Sequence, residues 1–209
     1  MQVENIFGAP LYRAKAEKYK ETLEAMTPLL NELFWQHDGL IPPWISTGWT
    51  RSTFPRYSHM NPIGRALHTV PQMSDMMDQL QTHLTEYWKL LGLNTKYTPY
   101  VDVMWAQRYI EGVGDNHNHP DHLISGGLYL LIEGEQTIYF DNPATQLYNS
   151  DLLNKFDREQ LRKKIILEPG DIILWPGWIN HEIIAKKPSI WDGGATRITI
   201  PFMVNGDLK

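Results

Sequence analysis

The spacing of hydrophobic residues divides the chain into two parts that meet near residue 98. From Tyr19 to Trp35, apolar residues recur every three or four positions, which predicts a helix. The same spacing predicts a second helix from Met73 to Leu91. Residues 36–70 contain many Pro, Ser, Thr and Gly residues, and they predict irregular structure. We therefore expect residues 1–97 to form a helical and irregular segment that covers a core.

From Thr98 onward the hydrophobic period becomes two, which is the period of strands. The alternating runs predict seven strands: Tyr100–Tyr109, Leu123–Ile132, Gln136–Phe140, Lys164–Glu168, Ile172–Trp175, Glu182–Ala185 and Thr196–Val204. A polar insertion over residues 142–162, which we expect to be partly helical, interrupts the series. Short strands at such spacing are typical of an antiparallel sandwich or barrel. The prediction is a single domain of mainly β structure with flanking helices (α+β), with its core in residues 98–209.

Composition and charge narrow the range of functions. The chain contains no cysteine, which excludes a disulfide framework, a zinc–thiolate site, an iron–sulfur cluster and a cysteine nucleophile. Its 19 basic and 24 acidic residues give a net charge of −5, which argues against nucleic acid or an anionic membrane surface as a partner. The N-terminus has no signal-peptide pattern, and no apolar run approaches the roughly twenty residues of a membrane span. We expect a soluble, cytoplasmic protein; a homodimer is compatible with the sequence, which does not determine the oligomeric state.

Histidines are concentrated in one short segment of the second part. Residues 117–122 read His-Asn-His-Pro-Asp-His, and the whole chain has 8 histidines. Side chains two positions apart on an extended chain point to the same side, so His117 and His119 can reach one ion. His181, which follows the predicted strand Ile172–Trp175, can add a third imidazole. Two close ligands, one distant ligand and open coordination positions are the arrangement of non-haem Fe(II) oxygenases; a metal-free surface loop is the alternative interpretation.

Strand parity predicts that further residues face the same interior cavity as the candidate metal ligands. With a period of two, Tyr129 falls on the same face as His117 and His119, although it could also simply fill the core. In the last predicted strand, alternation places Arg197 and Thr199 together on one face. An arginine inside a barrel needs an anion, and a guanidinium group matches a carboxylate in bidentate fashion. The pair therefore predicts a site for a dicarboxylate co-substrate, unless Arg197 lies on the surface of an edge strand.

Two further groups of residues complete the candidate site. Gln107, near the end of the first predicted strand, and Asn180, next to the distal histidine, are candidate co-substrate contacts. The tryptophans are expected to form walls of the cavity: Trp105, Trp175 and Trp178.

An ordered set of motifs resembles a known family. Starting at His117, the chain has His-x-His-Pro, then Leu-Ile-Ser-Gly-Gly-Leu-Tyr-Leu from Leu123, and Pro-Gly-Asp-Ile-Ile-Leu-Trp-Pro-Gly-Trp-Ile-Asn-His ending at His181. The set closes with Arg-Ile-Thr-Ile-Pro-Phe from Arg197. It resembles the 2-oxoglutarate/Fe(II)-dependent oxygenases over roughly residues 98–205, and more distantly the aspartyl/asparaginyl hydroxylases. The resemblance implies a double-stranded β-helix, the cupin-like jelly-roll fold, with helices packed outside.

Carried over to this chain, the resemblance makes His117 and His181 iron ligands. His119 then stands where most members of the superfamily have Asp or Glu, and Arg197 pairs with the distal carboxylate of 2-oxoglutarate. Because residues 119–121 read His-Pro-Asp, a second triad of His119, Asp121 and His181 stays open, although Pro120 and the strand register favour the first. The gap from His181 to Arg197 is longer than the usual spacing, so residues 186–194 are expected to form a loop at the barrel mouth.

The resemblance implies a dioxygenase that uses Fe(II), O2 and 2-oxoglutarate. Such an enzyme, typically a hydroxylase, couples conversion of 2-oxoglutarate to succinate and CO2 with oxidation of a C–H bond, here in an unidentified small-molecule or peptide substrate. Two other functions use the same residues differently. One is a cupin-like metal enzyme that needs no 2-oxoglutarate, and the other is a non-catalytic jelly roll that acts as a binding or structural module.

Overall fold

The computed structural model describes residues 1–6, 8–38, 50–52, 62–143, 161–190 and 195–208. Its two helices are α1 (Tyr19–Asp38) and α2 (Ser74–Leu90). Its strands are β1 (Gln2–Ile6), β2 (Ala9–Lys15), β3 (Thr50–Ser52), β4 (Tyr97–Met104), β5 (Gln107–Tyr109), β6 (Gly112–Val113), β7 (Ile124–Ile132), β8 (Glu135–Asp141), β9 (Arg162–Ile166), β10 (Asp171–Pro176), β11 (His181–Lys186) and β12 (Arg197–Leu208). Most of the predicted polar insertion, residues 144–160, lies outside the described residues. Within the part described, neither helix is long and apolar enough to cross a membrane.

Two antiparallel sheets face each other. The larger sheet has the order β1-β2-β10-β7-β12-β5-β3, with β4 also paired to β12. The smaller sheet has the order β6-β11-β8-β9. Neighbours in the order that are distant in sequence, such as β10 beside β7 and β7 beside β12, give the crossed connections of a double-stranded β-helix. The prediction of a mainly β jelly-roll fold with flanking helices is therefore confirmed.

Three strands precede residue 98 and were not predicted. The hairpin of β1 and β2 extends the larger sheet through the pairing of β2 with β10, and β3 pairs with β5. Strand β2 buries side chains on both faces, because Leu11 packs between the sheets and Tyr12 packs beneath the helices. A strand covered on both faces shows no alternation of apolar and polar residues, which is why the pattern missed it.

The larger sheet separates two hydrophobic cores. Helices α1 and α2 pack on its outer face, where Leu128 and Leu130 of β7 belong to the outer core. Tyr129 of β7 lies instead in the inner core, between the sheets, together with Trp175 of β10. Successive residues of β7 thus face opposite cores, and the odd-numbered ones face the interior of the jelly roll, as parity predicted.

Candidate metal and co-substrate site

Three imidazoles meet at one end of the jelly roll. The metal-binding nitrogens of His117, His119 and His181 all lie within 4.8 Å of one another. The ring centres are 4.7 Å apart for His117 and His119, 4.5 Å for His117 and His181, and 5.3 Å for His119 and His181. Nitrogens this close can converge on one ion, since each would lie about 2 Å from a transition metal.

The backbone fixes this arrangement. The amide N–H of His181 donates to the carbonyl of His117 at 2.8 Å, and the N–H of His117 donates back to the carbonyl of His181 at 3.1 Å. The third histidine is tied to the loop before β11, because the N–H of His119 donates to the carbonyl of Gly177 at 2.7 Å. These bonds hold the adjacent pair and the distant histidine together although more than sixty residues separate them in sequence.

The ring of His117 has a defined tautomer. Its Nδ1 lies 2.7 Å from the backbone carbonyl of Asp115, and because a carbonyl can only accept, Nδ1 carries the hydrogen. Nε2 is then the nitrogen available to a metal. Such a carbonyl partner on the other ring nitrogen is the usual support of a metal-binding histidine.

The other two imidazoles are held neutral by their surroundings. Burial, followed by the neighbouring imidazoles of His117 and His122, lowers the pKa of His119 to about 4. Burial, followed by His117 and His119, lowers the pKa of His181 to about 3. A neutral imidazole offers its lone pair to a metal without first losing a proton.

A cavity of about 290 Å³ opens beside the histidines. Its lining comes from both sheets and from the histidine segment: Trp105, Gln107, Tyr109, Gly114, Asp115, His117, His119, Ser125, Gly126, Gly127, Tyr129, Trp175, His181, Ile183, Thr199, Pro201 and Phe202. The volume is at the lower end of the range of about 300–1,000 Å³ typical of small-molecule sites. Aromatic rings form much of the wall, and polar groups stand between them.

Arg197 is fully buried; it is not itself part of the cavity lining, but it contacts the lining residue Tyr109. None of its three side-chain nitrogens has a hydrogen-bond partner among the described residues. Its guanidinium carbon is 3.7 Å from the centre of the Tyr109 ring, so it stacks on the face of that ring. Burial lowers the pKa of Arg197, whereas Tyr109 and Tyr129 act in the opposite direction. A buried guanidinium without a carboxylate partner is costly, which indicates a site for an anion.

Thr199 and Tyr129 stand near that guanidinium. Their Cα positions are directly paired across β12 and β7, and both residues line the cavity. Thr199 is buried, and its hydroxyl oxygen has no hydrogen-bond partner within the described part of the chain. Strand β12 lies inside the larger sheet and not at its edge, which excludes the interpretation of Arg197 as a surface residue.

The structure brings most of the predicted residues together, but not all of them. Gln107 lines the cavity with the residues above. Asn180 is not part of the lining, and its backbone carbonyl accepts the N–H of Asp141 at 2.9 Å. Asp121 is exposed and does not belong to the three-histidine group. Trp178, expected in the wall, is 50% exposed and is also absent from the lining.

The connection between His181 and Arg197 was also expected elsewhere. Strand β11 pairs His181 with Phe140 and Lys186 with Glu135, so it runs from the histidines towards the turn between β7 and β8. The connection therefore leaves β11 at the end of the barrel away from the histidines, and not at the mouth beside them. Its residues 191–194 lie outside the described residues.

Several lining residues were not singled out from the sequence as site residues. Ser125 falls on the same odd-numbered face of β7 as Tyr129, so parity was the signal that could have identified it. Tyr109 and Asp115 lie on short segments without a clear period. Tyr109 becomes relevant only through its contact with Arg197, which no local pattern predicts.

These observations fit an iron ion and 2-oxoglutarate. Three imidazoles on one side leave coordination positions open, as a non-haem Fe(II) site requires. Within the part of the chain that the structure describes, the buried guanidinium of Arg197 and the hydroxyl of Thr199 lack the hydrogen-bond partners that a carboxylate would supply. A metal ligand set and an anion site thus adjoin one cavity.

Oxygenases are among the known proteins that this chain resembles. Residues 103–203 match the family described as "Putative 2OG-Fe(II) oxygenase". Two structures of the non-heme monooxygenase ThoJ are similar in fold: the nickel complex has a TM-score of 0.51 and 11% identity, and the apo form has 0.52 and 10%. The alignments cover 95% and 94% of this chain and 75% of ThoJ in each case.

A third similar structure is an oxidoreductase of the 2OG-Fe(II) oxygenase family from Burkholderia pseudomallei. Its TM-score is 0.42 at 11% identity, and the alignment covers 65% of this chain and 56% of that protein. A search of curated protein sequences found no match.

The matched region contains the histidine segment, His181 and Arg197. The resemblance expected from the sequence is therefore confirmed at the level of the family. The chain therefore resembles the 2-oxoglutarate/Fe(II)-dependent oxygenases in sequence over residues 103–203, in its double-stranded β-helix fold and in a group of three histidines that could hold a metal ion.

Proposed function

We propose that this protein is a 2-oxoglutarate/Fe(II)-dependent oxygenase, and specifically a hydroxylase, in which His117, His119 and His181 hold the iron. Arg197 and Thr199, with Tyr129 beside them, bind the distal carboxylate of 2-oxoglutarate. The observation that carries the proposal is the buried guanidinium of Arg197, which has no hydrogen-bond partner among the described residues and contacts Tyr109 in the wall of a cavity that the three imidazoles also line.

In this proposal, other residues orient the metal ligands and exclude water from the site. The hydrogen bond from His117 Nδ1 to the Asp115 carbonyl orients the ring towards the metal. Trp175 packs against His181, with ring centres 4.9 Å apart, and against Phe140, with ring centres 5.3 Å apart. This packing holds the His181 ring in place and keeps water out of the inner core. Bound iron and 2-oxoglutarate supply the oxidation, in which O2, 2-oxoglutarate and a C–H bond give succinate, CO2 and a C–OH group.

The primary substrate enters from the side of the cavity lined by Gln107 and Asp115. Gln107 is half-buried and Asp115 is exposed, so these groups are reachable from solvent, whereas Arg197 is not. The proposal is a small molecule or a peptide side chain with a hydrogen-bonding group near the oxidised carbon. A cavity of about 290 Å³ holds 2-oxoglutarate and only a limited part of such a substrate.

The test is an anaerobic titration of the protein with Fe(II) and 2-oxoglutarate, followed by visible absorption. A metal-to-ligand charge-transfer band that needs both additions, is lost in His181→Ala and is weakened in Arg197→Ala supports the proposal. His83→Gln, which changes a histidine outside the cavity, is the matched control and should keep the band.

Each negative result of this titration favours a different alternative function. Stoichiometric metal without a band, at any concentration of 2-oxoglutarate, favours a cupin-like enzyme that does not use the co-substrate. Absence of metal uptake favours a non-catalytic jelly roll. Succinate formation in air, measured together with the band, distinguishes a bound co-substrate from a consumed one.

A further inference from the structure

Trp175 has an indole N–H that the described part of the protein does not use. The side chain is 3% exposed, it lines the cavity, and its Nε1 has no hydrogen-bond partner there. An indole nitrogen can only donate, so it needs an acceptor. The ring cannot simply turn away, because its edge contacts are with Phe140 on one side and His181 on the other.

Ser125, on the neighbouring strand, also has a buried polar group without a hydrogen-bond partner among the described residues. Its Cα is paired directly with that of Trp175 across β7 and β10. The side chain is 1% exposed, it lines the same cavity, and its hydroxyl oxygen also lacks a partner among the described residues. Two buried polar groups on directly paired residues thus each lack a partner, whereas buried polar groups in proteins are almost always hydrogen-bonded.

The ligand set of this site cannot supply that acceptor. A carboxylate ligand would have a second oxygen free to accept a hydrogen bond, whereas an imidazole that holds a metal has no acceptor left. All three candidate ligands here are imidazoles. Since no described residue supplies the acceptor either, we infer that it comes from a molecule bound in the cavity.

The two donors lie at the metal end of the cavity. Trp175 is in ring contact with His181, whereas Arg197 is paired with Ile132 at the other end of β7. Ser125 and Tyr129 are four residues apart on β7, which corresponds to about 13 Å along the strand. Gly127 lies between them, and because it has no side chain the ring of Tyr129 lies over it: a Cβ there would stand 3.1 Å from the Tyr129 hydroxyl oxygen. The Tyr129 hydroxyl therefore reaches from its own position towards Ser125.

We propose that Ser125 and Trp175 form a donor pair that binds the keto-acid end of 2-oxoglutarate, opposite the carboxylate site at Arg197. The proposal rests on the proposed function, because it assumes that iron and 2-oxoglutarate occupy this cavity. It assigns the pair to the metal-bound half of the co-substrate, so that the ligand is held by hydrogen bonds at both ends.

The experiment uses the full chain loaded anaerobically with Fe(II) and titrated with 2-oxoglutarate. Ser125→Ala, Trp175→Phe and Arg197→Lys are compared with wild type for the dissociation constant of 2-oxoglutarate and the wavelength of the charge-transfer band. Trp88→Phe is the matched control, because its indole N–H donates to the Asn94 carbonyl at 3.1 Å, outside the cavity. Iron affinity and thermal unfolding are measured for every variant.

Ser125→Ala and Trp175→Phe should each raise the dissociation constant of 2-oxoglutarate about tenfold, the loss expected for one hydrogen bond to a charged group. Both should also move the band to shorter wavelength, because a hydrogen bond to the keto acid lowers the energy of the orbital that receives the electron. Arg197→Lys should weaken binding without moving the band, and Trp88→Phe should change neither.

Unchanged affinity and band position in Ser125→Ala and Trp175→Phe would overturn the donor pair while leaving the proposed function intact. Weaker binding with an unmoved band would also overturn it, since the pair would then act at the other end of the ligand. Absence of any band in wild type refutes the proposed function, and the donor pair with it. Ser125→Ala removes a single oxygen, so it decides the question even if Trp175→Phe proves unstable.

Discussion

At the scale of single residues, Gly177 determines where the histidines stand. A Cβ at this position would collide with the backbone carbonyl of His122 and come within 2.7 Å of that of His119. The N–H of Gly177 also donates to the Leu123 carbonyl at 3.1 Å. The loop before β11 can therefore lie against the histidine segment only if this residue has no side chain.

Gly177→Ala should lower metal affinity about ten- to a hundredfold, the usual effect of disturbing the support of a ligand. The reason is that the backbone carrying His119 has to move away from the added methyl group. The measurement is isothermal titration with Co(II), with thermal unfolding as a check on the fold. Gly114→Ala is the control, because a Cβ there meets nothing closer than 3.5 Å. Equal affinity in Gly177→Ala and wild type would contradict this role.

The residues that the sequence identified are those with a positional signal. The parity of Tyr129 and the alternation around Arg197 each predicted a side chain that the structure buries. The spacing of His117 and His119 predicted two imidazoles on one side, and both lie close to His181. Asn180 was placed in the cavity only because it precedes His181. It lies before β11 begins, where strand parity does not apply, and its carbonyl bonds to Asp141.

At the scale of elements, a hydrogen-bond network joins the hairpin strand β2 to helix α2. The hydroxyl of Tyr12 donates to a carboxylate oxygen of Glu86 at 2.6 Å and lies 2.7 Å from Nδ1 of His83. Because the Tyr12 hydrogen goes to Glu86, His83 Nδ1 donates to the tyrosine oxygen. Burial is the largest cause that lowers the pKa of His83, with Glu86 acting in the opposite direction.

This network predicts a pH dependence of stability. A folded-state pKa below the unfolded value of about 6.5 means that protonation favours the unfolded chain. The contribution of His83 is therefore fully present above pH 6.5 and is lost as the pH falls towards its folded-state pKa. Urea unfolding of metal-free protein between pH 8 and pH 5 should show a smaller loss of stability in His83→Gln than in wild type. An identical loss in both proteins would contradict the assignment.

The elements were predictable where the sequence has an apolar stripe or a clear turn signal. Helix α2 shows a single apolar stripe, β7 precedes the turn at Gly134 and β10 follows the turn at Gly170, so their positions agree with the pattern within a few residues. Strand β2 is covered on both faces, and β3 and β6 have three and two residues, too few for a period. Their pairing partners lie far away in sequence, which a local pattern cannot indicate.

At the scale of the whole molecule, the segment before residue 98 and the jelly roll form one folding unit in our account. Strand β2 pairs with β10 over four residue pairs from Asp171 to Leu174. The buried carboxylate of Asp171 accepts a hydrogen bond from Arg13 at 2.6 Å and lies 2.9 Å from Lys15. The outer core consists of residues from both parts of the chain.

The fragment of residues 98–209 should therefore not fold on its own. Without β2 and the helices, the outer face of the larger sheet and the edge of β10 are exposed to water, which costs more burial than the remaining core provides. Near-ultraviolet circular dichroism and urea unfolding of the fragment, with the full chain as control, test this. A cooperative unfolding transition of the fragment would show that the first 97 residues are only a cover.

We propose that the imidazoles of His117, His119 and His181 hold one iron and that no carboxylate of the chain binds it. The most direct test of this claim is the iron content of His117→Ala, His119→Ala and Asp121→Ala after anaerobic loading with Fe(II). The account predicts that both histidine variants lose the metal and that Asp121→Ala retains one iron per chain, because Asp121 lies outside the group. Loss of iron in Asp121→Ala with full retention in His117→Ala would contradict it and establish the triad of His119, Asp121 and His181.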